Sequence, residues 1–253
     1  DIHNRLHMSK KIFINDTEID ADINGDYEIW LGGPQRSRNW LALPEAGGRI
    51  TTRHYFEWAS PAAVSQTLHV PLSIESTSPV EAPPKWDDER MAAALQRVIN
   101  HVRTKTVDGI KPGQIMPSWV STTPNFFHQP EKHRTLALAA ADAAYSMAPF
   151  VIGPDQALVI TGRWPDCRFA NVCLWTRFSQ MFDYVNRPVS RNRANTQLEA
   201  DGSFRMVIAH RDPGVPNWLD SEGRMYGSVF WRFFLPEGEI ETPQATVVQW
   251  SDL

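Results

Sequence analysis

The sequence predicts a mainly β fold with an α-helical insertion, of the antiparallel β-sandwich or jelly-roll kind. Six segments in the C-terminal part are rich in β-branched and aromatic residues and are separated by turns, the rhythm of stacked antiparallel strands. No repeating alternation of strand and helix runs along the chain, which argues against a doubly wound parallel sheet. Helical periodicity is confined to the middle. With 253 residues, 42% of them hydrophobic and 21% charged, the chain is long enough to bury a sizeable core.

Residues 1–76 read as an N-terminal β region, with strands expected at 11–15, 26–31, 49–58 and 67–74. Gly32-Gly33-Pro34 and Gly47-Gly48 punctuate them as turns. Within 49–58, Thr52, His54, Phe56 and Trp58 alternate with Arg53, Tyr55 and Glu57, as on a two-faced strand. Residues 77–147 read as a linker and helical segment. Pro79, Pro83 and Pro84 hold 77–86 extended. A helix follows over about 87–107, where Met91, Leu95, Val98 and Val102 share one face. Its acidic start (Asp87, Asp88, Glu89), its basic end (Arg103, Lys105) and the stop at Gly109 match the helix dipole. A second, alanine-rich helix is expected over 132–147. The loop between them, 111–130, carries Trp119, Phe126, Phe127 and His128; it reads either as a lid or as a loop pinned by buried aromatics. Residues 148–253 read as the C-terminal β-sandwich region, continuous with the N-terminal strands. Its strands are expected at 150–152, 157–162, 168–176, 204–210, 228–234 and 245–250.

A net charge of -4 gives no electrostatic footprint for nucleic acid, and no apolar window is long enough for a membrane-spanning helix. No secretory leader is evident, and a cytoplasmic location is the expectation. Cys167 and Cys173 lie six residues apart in one predicted strand, about 20 Å along it, too far to pair there. There is no phosphate-binding glycine loop, no paired-histidine zinc motif and no nucleophile elbow, so no cofactor is expected. His54, His128, His210 and Asp212 are scattered without ligand spacing, so no metal is expected either. The oligomeric state is not legible.

Chemistry concentrates in His210-Arg211-Asp212-Pro213-Gly214-Val215-Pro216-Asn217-Trp218-Leu219-Asp220, directly after a predicted strand. His210 and Asp212 are the candidate acid-base pair, because an imidazole exchanges protons near neutral pH and a carboxylate can orient it. Arg211, Asn217 and Trp218 are candidate ligand-binding residues, supplying a bidentate anion contact, a polar edge and an apolar edge. Arg53, Tyr55 and Trp175 are further ligand-binding candidates; Trp175 is one of ten tryptophans, whose amphipathic rings suit pocket walls. The alternative reading of 210–220 is turn chemistry, with Asp212 accepting backbone bonds ahead of Pro213 and with Asn217 and Asp220 as caps.

Several segments resemble the bacterial family known as domain of unknown function 1214: Gly162-Arg163-Trp164-Pro165-Asp166-Cys167-Arg168, Asn171-Val172-Cys173-Leu174-Trp175, Asp183-Tyr184 with Arg187, Asp201-Gly202-Ser203-Phe204 and the 210–220 run, with 227–233. The resemblance covers roughly 145–240. Asn39-Trp40-Leu41 and Arg53-His54-Tyr55-Phe56-Glu57-Trp58 resemble an upstream β region found with that family. At Ser190-Arg191-Asn192-Arg193 the chain departs from the family pattern by carrying Arg191 where an apolar leucine is usual. The resemblance implies a β-sandwich and a bacterial source, and no catalytic residues. Two functions follow as expectations: an acid-base enzyme acting on a small hydrophobic or anionic molecule, or a non-catalytic module for carbohydrate binding or protein assembly.

Overall fold

A computed structural model describes residues 13–43, 50–108, 116–132 and 140–253. It divides into two compact units, residues 1–54 and 55–253. In the first, β1 (Trp30–Leu31) and β2 (Trp40–Leu41) pair in parallel, and the Trp40 indole donates to the Gly32 carbonyl at 2.8 Å. Of the N-terminal strands expected from sequence, only the end of 26–31 forms. Residues 13–15, 50–58 and 67–74 make no ladder, and 11–12 and 49 lie outside the described residues. Alternation alone does not make a strand; each backbone donor and acceptor also needs a neighbouring chain. Tyr55 instead lays its ring on the five-stranded sheet, against Phe169 and Phe234.

The second unit is a β-sandwich. One sheet contains β3 (Glu131–Lys132), β4 (Ala143–Val151), β10 (Tyr226–Phe234), β6 (Phe169–Trp175) and β7 (Ser190–Asn192), in that order and all antiparallel. The other contains β11 (Gln244–Gln249), β5 (Gln156–Gly162), β8 (Phe204–Ala209) and β9 (Trp218–Asp220), antiparallel except for the parallel pair β8–β9. Alternate residues of both sheets meet in one core: Ala148, Phe150, Val172, Leu174, Val229, Trp231 and Phe233 from one, Leu158, Ile160, Phe204, Met206, Ile208 and Leu219 from the other. Gly162 and Gly227 permit this closeness. A Cβ on Gly227 would stand 2.5 Å from the Phe150 ring, and one on Gly162 would stand 2.8 Å from Phe204.

The second helix expected over 132–147 is overturned where it is described: Lys132 ends β3, and residues 143–147 open β4, while 133–139 lie outside the described residues. β4 is covered on both faces. Ala144, Ala148 and Phe150 point into the main core, whereas Ala143, Tyr145 and Met147 point into a second cluster with Trp119, Cys173 and Phe230. A strand buried on both sides shows no polar alternation, and small alanines there let neighbouring layers approach; helix propensity is overridden by packing.

The first helix forms as expected. α1 (Asp88–Arg103) starts at the Asp87 cap, whose carboxylate accepts from the Arg90 amide at 2.8 Å, and runs on into a wider π-type turn at 104–108. None of its residues is buried. No described helix is long and apolar enough to cross a membrane.

Candidate functional site

The strand-end segment 210–220 folds back beside β8, and its polar side chains hold the chain together. The Gly153 carbonyl can only accept, so His210 Nε2 donates to it, at 2.9 Å. His210 Nδ1 lies 2.8 Å from the Ser221 hydroxyl, which is completely buried. The ring thus ties β8, the turn after β4 and the turn after β9 together. Asp212 is exposed and accepts from the Gly214 amide at 2.8 Å, closing the Asp-Pro-Gly turn. The two candidate acid-base residues have separate partners, and no hydrogen bond joins them.

The other residues of the segment are equally occupied. Asn217 is buried in the left-handed region at φ 58°, and its amide accepts from Gln197 N while donating to Gln197 O and Arg205 O. Asparagine tolerates that backbone better than most residues, and a buried amide with three bonds is a fixed strut. The Trp218 indole donates to the Ala209 carbonyl at 3.2 Å, and the exposed Arg211 guanidinium sits 4.2 Å above the Trp250 ring. Asp220 is buried and paired with Arg187 at 2.6 Å, which holds the Arg187 guanidinium above its ordinary range. Turn chemistry and clamping therefore account for every polar group that the sequence singles out here.

Tyr55 and Trp175 instead mark the outer face of the five-stranded sheet. Across β4, β10, β6 and β7 the register aligns Tyr145, Arg232, Asn171 and Asn192 in one row. The Arg232 guanidinium lies 5.6 Å from the Tyr55 ring centre, 5.9 Å from Tyr145 and 5.3 Å from Phe230. Tyr55 stacks on Phe169 at 5.0 Å, and Trp175 stacks on Phe230 at 4.7 Å while its indole donates to Cys173 Sγ. Trp119 closes another side against Tyr145 and Phe230. The segment that carries Tyr55 is held by a forked pair, Arg193 Nε to Glu57 at 2.7 Å and Nη2 to its other oxygen at 2.5 Å, with Asn192 donating to the Trp58 carbonyl.

Two polar atoms in the Tyr145–Arg232–Asn171–Asn192 row are buried without a hydrogen-bond partner among the described residues: Arg232 Nε and Asn171 Oδ1. Nor is Arg232 in an ion pair with any described carboxylate. A partly buried guanidinium without a counter-charge, beside an amide oxygen without a donor, is costly unless something else satisfies both. The row exists only through strand register, so no single segment of the sequence singles out Arg232. Burial pushes the neighbouring Cys173 thiol up from its ordinary range and Cys167 up to about 11; both thiols are free. Cys167 lies before β6 rather than in one strand with Cys173, and it packs against the main core while Cys173 lies in the outer cluster.

Arg53 belongs to the first unit, whereas the row belongs to the second. In that unit a concavity of about 720 Å³ is lined by Asp20, Asp22, Asp26 and Glu28 with Trp30, over which Arg36 sits at 3.5 Å. Two of its carboxylates are taken up locally, Asp22 by the Asn24 and Asp26 amides and Asp20 by Arg38. Among the described residues no group of three or more His, Cys, Asp or Glu side chains is placed to hold a metal.

The architecture is that of a β-sandwich also seen in a solved structure of an uncharacterised protein from Burkholderia cenocepacia. That structure matches at a TM-score of 0.67 with 21% identity, over 94% of this chain and 64% of the other. A structure from Vibrio parahaemolyticus matches at a TM-score of 0.39 with 15% identity, over 66% of this chain and 47% of that one. The chain thus spans less than two thirds of the length of either protein. No family model matches the chain. No curated protein matches it in sequence.

Proposed function

We propose that this protein is a non-catalytic binding module that takes a small organic anion, with an apolar or aromatic body, on the outer face of its five-stranded sheet. One observation carries the reading: Arg232 is partly buried among Tyr55, Tyr145 and Phe230 with its Nε unsatisfied, next to an equally unsatisfied Asn171 oxygen. A carboxylate supplies the acceptor and countercharge for Arg232, a hydroxyl or amide on the same ligand donates to Asn171, and the rings take the body. The acid-base reading loses its support because both His210 nitrogens have internal partners. Membership of the family of domain of unknown function 1214 belongs to the same proposal, since the residues that carry the resemblance, 171–175 and 227–233, lie in the two strands that hold Asn171 and Arg232.

The test is calorimetric titration against small aromatic and aliphatic carboxylates and their methyl esters. Carboxylates are expected to bind, esters to bind at least tenfold more weakly, and Arg232→Met to abolish binding without lowering the melting temperature. Binding that is equal in the Arg232→Met variant, or no binding by any carboxylate, overturns the proposal.

A further inference from the structure

α1 presents an apolar stripe that nothing described in the protein covers. Met91, Leu95, Val98 and Val102 are 46%, 55%, 59% and 50% exposed, and Ile99 beside them is 58% exposed. A helix of 16 residues is marginal in water unless one face is packed, and among the described residues nothing packs on this stripe. The stripe steps by four, three and four residues with Ile99 beside it, a spacing that can seat a second helix along its length. Ala92 and Ala94 flank Met91 and Leu95 and let a second helix come close. The ends carry opposite net charge: Asp87, Asp88 and Glu89 outweigh Arg90 at the start, while His101 and Arg103 stand in the last turn, where Arg103 also pairs with Asp108 at 3.5 Å.

We propose that α1 pairs antiparallel with α1 of a second copy of this chain. In that orientation Met91 of one copy packs beside Val102 of the other and Leu95 beside Val98, and the acidic start of each helix lies against the basic end of its mate. The parallel arrangement sets Asp88 against Asp88 and Arg103 against Arg103, and like charges repel. About three turns of seam on each helix make a small interface, so the dimer is weak and its population depends on concentration.

Sedimentation equilibrium over a range from about 1 to 500 μM is expected to show a reversible rise toward twice the chain mass, and Leu95→Asp is expected to weaken association at least tenfold. Mild oxidation of a mixture of Met91→Cys and Val102→Cys chains is expected to give a mixed cross-linked dimer, while Met91→Cys alone gives none; the wild type controls for Cys167 and Cys173. A chain that stays monomeric throughout overturns the proposal. So does a melting temperature lowered by Leu95→Asp at 1 μM, which places the stripe against the chain's own body. Leu95-dependent sedimentation of the dilute protein with anionic phospholipid vesicles assigns the stripe to a lipid surface instead, and a dominant Met91→Cys homodimer refutes the antiparallel orientation.

Discussion

Replacing His210 by alanine separates a structural role from a catalytic one. The side chain makes two hydrogen bonds, to the Gly153 carbonyl at 2.9 Å and with the Ser221 hydroxyl at 2.8 Å. Gly153 keeps a second donor, the Gln156 amide, so losing that bond costs about 1 kcal/mol. Ser221 is completely buried and its other hydrogen bonds among the described residues are made by its backbone, so its hydroxyl is left without a partner at a cost of about 1–3 kcal/mol. The sum is about 2–4 kcal/mol, which for a unit of this size lowers the melting temperature by roughly 4–16 °C. Urea and thermal denaturation measure it, and a cycle with Ser221→Ala isolates the pair, for which a coupling of about 1 kcal/mol is expected. A His210→Ala protein within about 0.5 kcal/mol of wild type, or an uncoupled cycle, refutes the clamp.

Three further outcomes follow from packing and charge. Gly227→Ala forces a methyl to 2.5 Å from Phe150 and 3.0 Å from Phe182, and is expected to destabilise by about 1–3 kcal/mol in chemical denaturation. Arg191 donates to the Trp218 and Asn195 carbonyls but leaves its Nε buried without a partner, and burial lowers its pKa. Arg191→Leu, the residue usual in the resembling family, trades those bonds for relief of a desolvated charge and is expected to stay within about 1 kcal/mol of wild type by the same assay; a loss above about 3 kcal/mol contradicts this. Hydrogen bonds from Asn186 and Ser203 hold Asp183 and Asp201 below their ordinary 3.8, so the stability they add is present above that pH and is lost on acidification through their lower native values. The Cys167 thiol, pushed up from 9.0 to about 11, acts in the other direction: its contribution is complete below pH 9 and declines as pH rises through 11. Denaturation midpoints from pH 2 to 11 are expected to fall at both ends.

Much of the fold was legible because its signals are local. Five of the six C-terminal strands expected from sequence form near their predicted positions, and the sixth, at 150–152, is the end of a longer β4. Residues 143–147 misled because alanine favours helix in isolation while their burial on both faces is decided by Phe150, Trp119 and Phe230 around them. The residues of 210–220 looked like chemistry because imidazole, carboxylate and amide serve clamps and active sites equally well. The Arg232 row was invisible, since register is written in no single segment.

What the sequence determined alone is what a few neighbouring residues can decide: the Asp87 cap, the Asp212 turn and the periodicity of α1 and of the strands. Such interactions span two to four residues, so their partners are printed side by side in the chain. Tertiary structure decided that His210 meets Gly153, 57 residues away, and that Arg232 stands between Tyr145 and Asn171. Those meetings depend on which strands pair and in which register, and that is chosen by burying the whole core at once.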